Sequence, residues 1–176
     1  DPDVLREVAY PTLHSMSRFL TRTVRDYDGN CLASFSASPE QMLNGTYVRG
    51  GHYYHTVGCG FDQQMLYENA KDTLAAADIL NEEDETTATL DAQVDHYSPI
   101  AIGWSGQIKE YLEENYYGEI GEYTHRHISQ LVALMPGTLI TSETPAWMDA
   151  AKVTLNERSD ESTGWALAHR LNAWAR

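Results

Sequence analysis

The run Ser36-Ala37-Ser38-Pro39-Glu40-Gln41 sets one carboxylate directly after a proline, with serine hydroxyls two and four residues before it. It supports two compatible readings. In the first, Ser38 is a helix N-cap, Pro39 the first helical residue and Glu40 a favourable charge at the positive helix end. In the second, Glu40 is a carboxylic acid in an aromatic loop, where partial burial disfavours ionisation and keeps a proton ready for transfer.

Two imidazole clusters follow. In His52-Tyr53-Tyr54-His55 the histidines are three apart, as for a metal pair on one helix face, but the flanking glycines make it a wet aromatic loop rather than a ligand pair. His125-Arg126-His127 has neither a Cys pair nor an HExxH spacing to support zinc. Its chemistry suits a polyhydroxylated or anionic ligand, since arginine offers a planar fork of donors and neutral histidine both donates and accepts. A capped turn before Ile128, Leu131, Val132 and Leu134 accounts for the same residues without a ligand. Trp104 and Trp165 are candidates to pack against a sugar ring, whose C–H groups lie well on aromatic faces, whereas Trp174 reads as core filling. The acidic run Glu82-Glu83-Asp84-Glu85 reads as a solvated face. No phosphate-cradling glycine loop or nucleophile elbow is present, and neither a metal nor a cofactor is expected. Cys31 and Cys59 allow one disulfide or none.

Helices must position these groups. Leu5, Val8, Leu13, Met16, Phe19, Leu20 and Val24 predict an amphipathic helix over about residues 3 to 25, with Pro11 in a first turn or at a break. From Asp26 to Gly60 the periodicity disappears, and a long irregular segment punctuated by Gly29, Asn44-Gly45 and Gly50-Gly51 is expected to carry function. The stripe Met65, Leu66, Ala70, Leu74, Ala77 and Leu80 predicts a helix capped by Asp62 and ending near Asn81. A further helix is expected between Asp84 and Tyr97, then an extended piece from Gly103 to Tyr117 that turns helical at Ile108. Two more helices follow Pro136-Gly137, over roughly 145 to 157 and 163 to 176. No alternation persists long enough to build a sheet, so the expected class is all-α. Helix pairs with long loops on one side suggest part of a layered helix array. The last helix runs into Trp174-Ala175-Arg176 without a Gly, Asn or Pro stop, so the chain reads as a segment of a larger protein.

The composition narrows the partners. Across 176 residues, 26 acidic side chains against 12 Lys and Arg give a net charge of −14, and a surface of that sign does not track phosphates. No nucleic-acid partner is expected. No apolar run of about 18 residues suggests membrane insertion, and the N-terminal Asp1-Pro2-Asp3 lacks the basic and apolar regions of a signal peptide. Secreted and cytoplasmic locations both stay open.

Taken in order, EVAYPTLHSMSRFL, SASPEQ, GFDQQMLYENAKDTLAAADIL, GWSGQIKEYLEE, HRHISQLVALMPGTLI and STGWALAHRLNAWAR span nearly the whole chain, which resembles the catalytic domain of glycoside hydrolase family 95. The resemblance implies inverting hydrolysis of terminal α-L-fucosides, especially α-1,2-linked ones, in oligosaccharides or glycoconjugates. Some members are α-L-galactosidases, and a non-catalytic carbohydrate-binding module is the reading from another class. It also implies an (α/α)6 toroid. Six helix pairs at about 12 residues per helix and about 5 per connection need roughly 200 residues. This chain, one fragment of a single domain extending on both sides, would then supply about half the helices and be inactive alone. The family's general acid falls on Glu40, and its sugar-contacting residues on Arg126 and His127. Its water-activating Asn and Asp have no counterpart here, and Gln130 stands where the family usually has His.

Overall fold

The computed structural model describes residues 1–42, 55–112, 114 and 123–176. Most of the regular structure is helical. Helix α1 (Pro2–Val4), capped by the Asp1 carboxylate, runs through a π-helical turn over Leu5–Ala9 into α2 (Tyr10–Leu20). Pro11 lies in the first turn of α2. A proline lacks the N–H that would bond four residues back, and its ring crowds the carbonyl there, so a widened turn just before it accommodates the ring without ending the helix.

The helix ends at Leu20 rather than near residue 25, because Val24 belongs to a strand. Strand β1 (Val24–Tyr27) pairs antiparallel with β2 (Asn30–Ala33), Val24 opposite Ala33 and Tyr27 opposite Asn30. This hairpin corrects the expectation of a purely helical chain. Asp28 and Gly29, at φ 53° and 83°, supply the two left-handed residues that a tight hairpin turn requires, and strands of four residues are too short to register as a period of two.

Helix α3 (Gly60–Leu80) buries Leu66, Ala70, Thr73, Ala77 and Leu80 and leaves Met65 exposed. Its N-cap position is Cys59, not Asp62: the Asp62 carboxylate instead accepts from Ser36 Oγ at 2.5 Å. Asn81 closes the helix in the left-handed region, at φ 55°. Helix α4 (Glu85–Val94) starts with a full capping box between Asp84 and Thr87. Against α3 pack Leu90, Val94, Tyr97 and the hairpin residues Val24 and Ala33, forming one core.

The second core joins Ile108, Leu131, Leu134 and Ile140 to Ala151 and Leu155 of α5 (Pro145–Arg158) and Ala173 of α6 (Gly164–Ala175). Over the described residues 108–112 the helix expected from Ile108 is absent. Ile108 bridges to Ile102, and its N–H donates to Thr154 Oγ1 of α5 at 2.9 Å. Gly106 at φ 82° turns the chain between the two isoleucines, a geometry that a helix cannot follow. Trp174, expected in the core, is half exposed. No described helix is long and apolar enough to cross a membrane.

Candidate functional site

Ser38-Pro39-Glu40-Gln41 forms a turn closed by a 2.7 Å bond from Gln41 N–H to the Ser38 carbonyl, and no helix starts there. The expected cap fails because the Ser38 hydroxyl is committed elsewhere. Ser38 Oγ donates to Glu110 Oε1 at 2.5 Å and lies 2.7 Å from Ser129 Oγ. The Gln41 amide reaches both Glu110 oxygens at 3.3 Å. Glu110 is 1% exposed and ion-pairs with the equally buried Arg158 of α5. Burial alone would raise the Glu110 pKa, but the Arg158 guanidinium, with the hydrogen bonds from Ser38, Arg158 and Gln41, holds it below the ordinary carboxylate value.

Glu40 extends from this turn, half-buried, and ion-pairs with Arg126. His127 Nδ1 lies 3.2 Å from the Pro39 carbonyl, tying the two segments together a second time. The three residues of His125-Arg126-His127 are placed differently. His125 is buried and its Nδ1 accepts the His127 N–H at 3.0 Å, which is the capped turn; Arg126 and His127 line a cavity of about 340 Å³. Pro39 and Ser129 stand beside them, and Trp165 and His169 of α6 also line the cavity. Phe61, Val132, Met135 and Pro136 supply an apolar wall.

Of the two tryptophan candidates, Trp165 belongs to this cavity: it is 76% exposed, and its ring lies 5.4 Å from that of His169. Trp104, 84% exposed, is not among the cavity's lining residues; it stands on a turn whose N–H donates to Glu114 Oε2 at 2.6 Å. His169 and Glu110 are the residues that sequence reasoning misses. The four-residue spacing from Trp165 puts His169 on the same helix face and was the available signal. Glu110 had none, since a lone acid between Lys109 and Tyr111 looks like surface.

Burial, then the neighbouring His127 and Arg158, push His125 down to about 4. His127 is also lowered, by burial above all. Near pH 7 both imidazoles are therefore neutral, able to donate and to accept. The linkage has a definite sign: below about pH 6.5 the unfolded chain takes up a proton at His125, while the folded chain resists until about pH 4. Stability should fall as pH drops through that window, by as much as roughly 3 kcal/mol from this group. Chemical denaturation at pH 7 and pH 4.5 should show a smaller pH effect in His125→Gln; an unchanged difference would remove His125 as the source.

Among the described residues no group of three or more His, Cys, Asp or Glu side chains is placed to hold a metal. His52, Tyr53 and Tyr54 lie outside the described residues, as do 115–117 of the expected extended piece; His55 stacks on Phe35 with ring centres 4.8 Å apart. Cys31 and Cys59 are both free thiols.

The chain is similar to several known proteins. "Alpha-L-fucosidase 2" of Arabidopsis thaliana is 29% identical over 180 residues, covering 100% of this chain and 21% of the relative. "Probable alpha-fucosidase A" of Aspergillus niger is 30% identical over 185 residues, covering 97% of this chain and 22% of the relative. The Aspergillus oryzae protein of the same name is 30% identical over 135 residues, with 69% and 18% covered. This chain thus spans about a fifth of the length of the curated relatives it matches. The family described as "Glycosyl hydrolase family 95 catalytic domain" matches residues 1–176. Since that match runs over every residue of the sequence, the chain belongs to glycosyl hydrolase family 95.

Proposed function

We propose that the protein containing this chain hydrolyses terminal α-L-fucosides of oligosaccharides or glycoconjugates, α-1,2-linked ones foremost, with inversion. The observation that carries this reading is the pairing of Glu40 with Arg126, which itself lines a cavity with His127 and His169, side chains whose donors and acceptors suit sugar hydroxyls. The names of the relatives agree with it. Trp165 offers an aromatic face to the sugar ring. The apolar wall of Phe61, Val132 and Met135 suits the methyl group of a 6-deoxy sugar better than the hydroxymethyl of L-galactose, whose hydroxyl would lose its water there.

In this mechanism Glu40 acts from its protonated form, giving its proton to the glycosidic oxygen as the bond to the anomeric carbon breaks while a base on the opposite sugar face activates water; the ion pair with Arg126 is the form left after donation, and Glu40 takes up a proton before the next turnover. The Arg126 guanidinium stabilises the carboxylate that proton donation leaves behind. The base is assigned to residues outside 1–176. Trp104, 84% exposed, offers a second aromatic face to the glycan, outside this cavity. We also propose that residues 1–176 are one portion of an (α/α)6 toroid. Val8, Met16 and Phe19 on the first helices and Leu171 on α6 are exposed apolar side chains of the kind that neighbouring helix pairs cover.

Inversion makes a direct prediction for the full-length protein. Proton NMR of the early reaction mixture should show β-L-fucose as the first product of an α-linked substrate, before mutarotation mixes the anomers. A first-formed α-anomer would require a covalent double displacement and would overturn the mechanism.

A further inference from the structure

We propose that Glu110 is the positioning residue for Glu40, holding the acid's turn at both ends from inside the protein. The inference rests on the reading of Glu40 as the general acid. The Glu40 turn belongs to no helix or strand; on its N-terminal side, among the described residues, only a single bridge, Ser36 with Thr56, pairs its backbone. Beside the His127 contact to the Pro39 carbonyl and the Arg126 pair, one buried carboxylate holds the residues on both sides of Glu40. Glu110 accepts from Ser38 Oγ at 2.5 Å on one side of the Pro39-Glu40 pair and from the Gln41 amide at 3.3 Å on the other. It also accepts from Ser129 Oγ at 3.3 Å, two residues beyond His127. The acid and the sugar-binding segment are therefore hung on the same two oxygens.

Glu110 is itself fixed to the helices. Its carboxylate takes the buried Arg158 fork of α5, and its backbone carbonyl accepts the Gly60 N–H at the start of α3 at 2.9 Å. Gly60 has no room for a side chain, since a Cβ there would stand 2.5 Å from the Lys109 carbonyl oxygen. That close approach joins the Glu110 loop to α3 with little play. An ionised carboxylate only accepts, so the Ser38 hydroxyl must donate to it, and the turn has one orientation open to it. A role confined to stability would be met by the Arg158 pair; the bonds to Ser38, Gln41 and Ser129 all converge on the two segments that carry the site.

The test uses the full-length protein, with an α-L-fucosyl disaccharide and dinitrophenyl α-L-fucoside, whose aryloxide leaves without a proton donor. Ser38→Ala leaves the Glu110–Arg158 pair intact and removes one tether. It should lower kcat on the disaccharide by about 10- to 100-fold, leave KM nearly unchanged, lower the melting temperature without unfolding the protein at the assay temperature, and spare the aryl fucoside. Equal losses on both substrates, or no loss, would overturn the positioning role. Glu40→Gln measured in parallel separates the two claims. If Glu40→Gln discriminates between the substrates and Ser38→Ala does not, the positioning role alone fails; if Glu40→Gln does not discriminate, the acid assignment fails and takes the positioning role with it.

Discussion

Glu40→Gln in the full-length protein should reduce turnover of a natural α-L-fucoside by about 10²–10⁴-fold, the usual contribution of general acid catalysis. Glutamine keeps the shape of the side chain and a hydrogen bond to the glycosidic oxygen but has no proton to give. The sugar alkoxide must then leave unassisted, which is the costly step. On dinitrophenyl α-L-fucoside the same variant should lose much less, because that leaving group carries its own negative charge well. Since Glu40 is half-buried and its carboxylate pairs with the partly exposed Arg126, the fold should tolerate the change. Comparable losses on the two substrates would remove the acid assignment.

Glu110→Ala should destabilise the protein by about 3–5 kcal/mol, measured as a lowered midpoint of chemical denaturation. Both partners of the Glu110–Arg158 pair are 1% exposed, so deleting the carboxylate strands a guanidinium in the interior. Arg158 also donates to the Tyr123 carbonyl, and a neutral carbonyl does not balance a full charge. Adding Arg158→Met to Glu110→Ala should recover much of the loss, since removing both charges removes the desolvation cost along with the attraction. A single-variant loss below about 1 kcal/mol would mean that water reaches the pair and that it is not a buried anchor.

Much of the frame is legible from local chemistry. Helices α3, α4, α5 and α6 announce themselves because apolar stripes, the Asp84 cap and Pro145 are features of neighbouring residues. Glu40, Arg126, His127 and Trp165 can be singled out for the same reason: reactive or sugar-binding groups occur in short recognisable runs. The hairpin is less legible. Its whole signal is Asp28-Gly29 between two four-residue strands.

Ser38 shows where local inference stops. Its pattern with Pro39 and Glu40 is a sound helix start, and the isolated peptide has every reason to use it. A buried carboxylate 72 residues away claims the hydroxyl instead, because in the dry interior a charge-assisted bond is worth more than a cap in water. Asp62 is diverted in the same way by Ser36. The identity of the chemical groups, the helices and the family resemblance thus follow from residue type and spacing alone. The Glu40–Arg126 pairing, the place of His169 in the cavity and the central position of Glu110 come from contacts between segments far apart in the chain. Burial sets the strength of those contacts, and burial is a property that no residue has until the chain has folded around it.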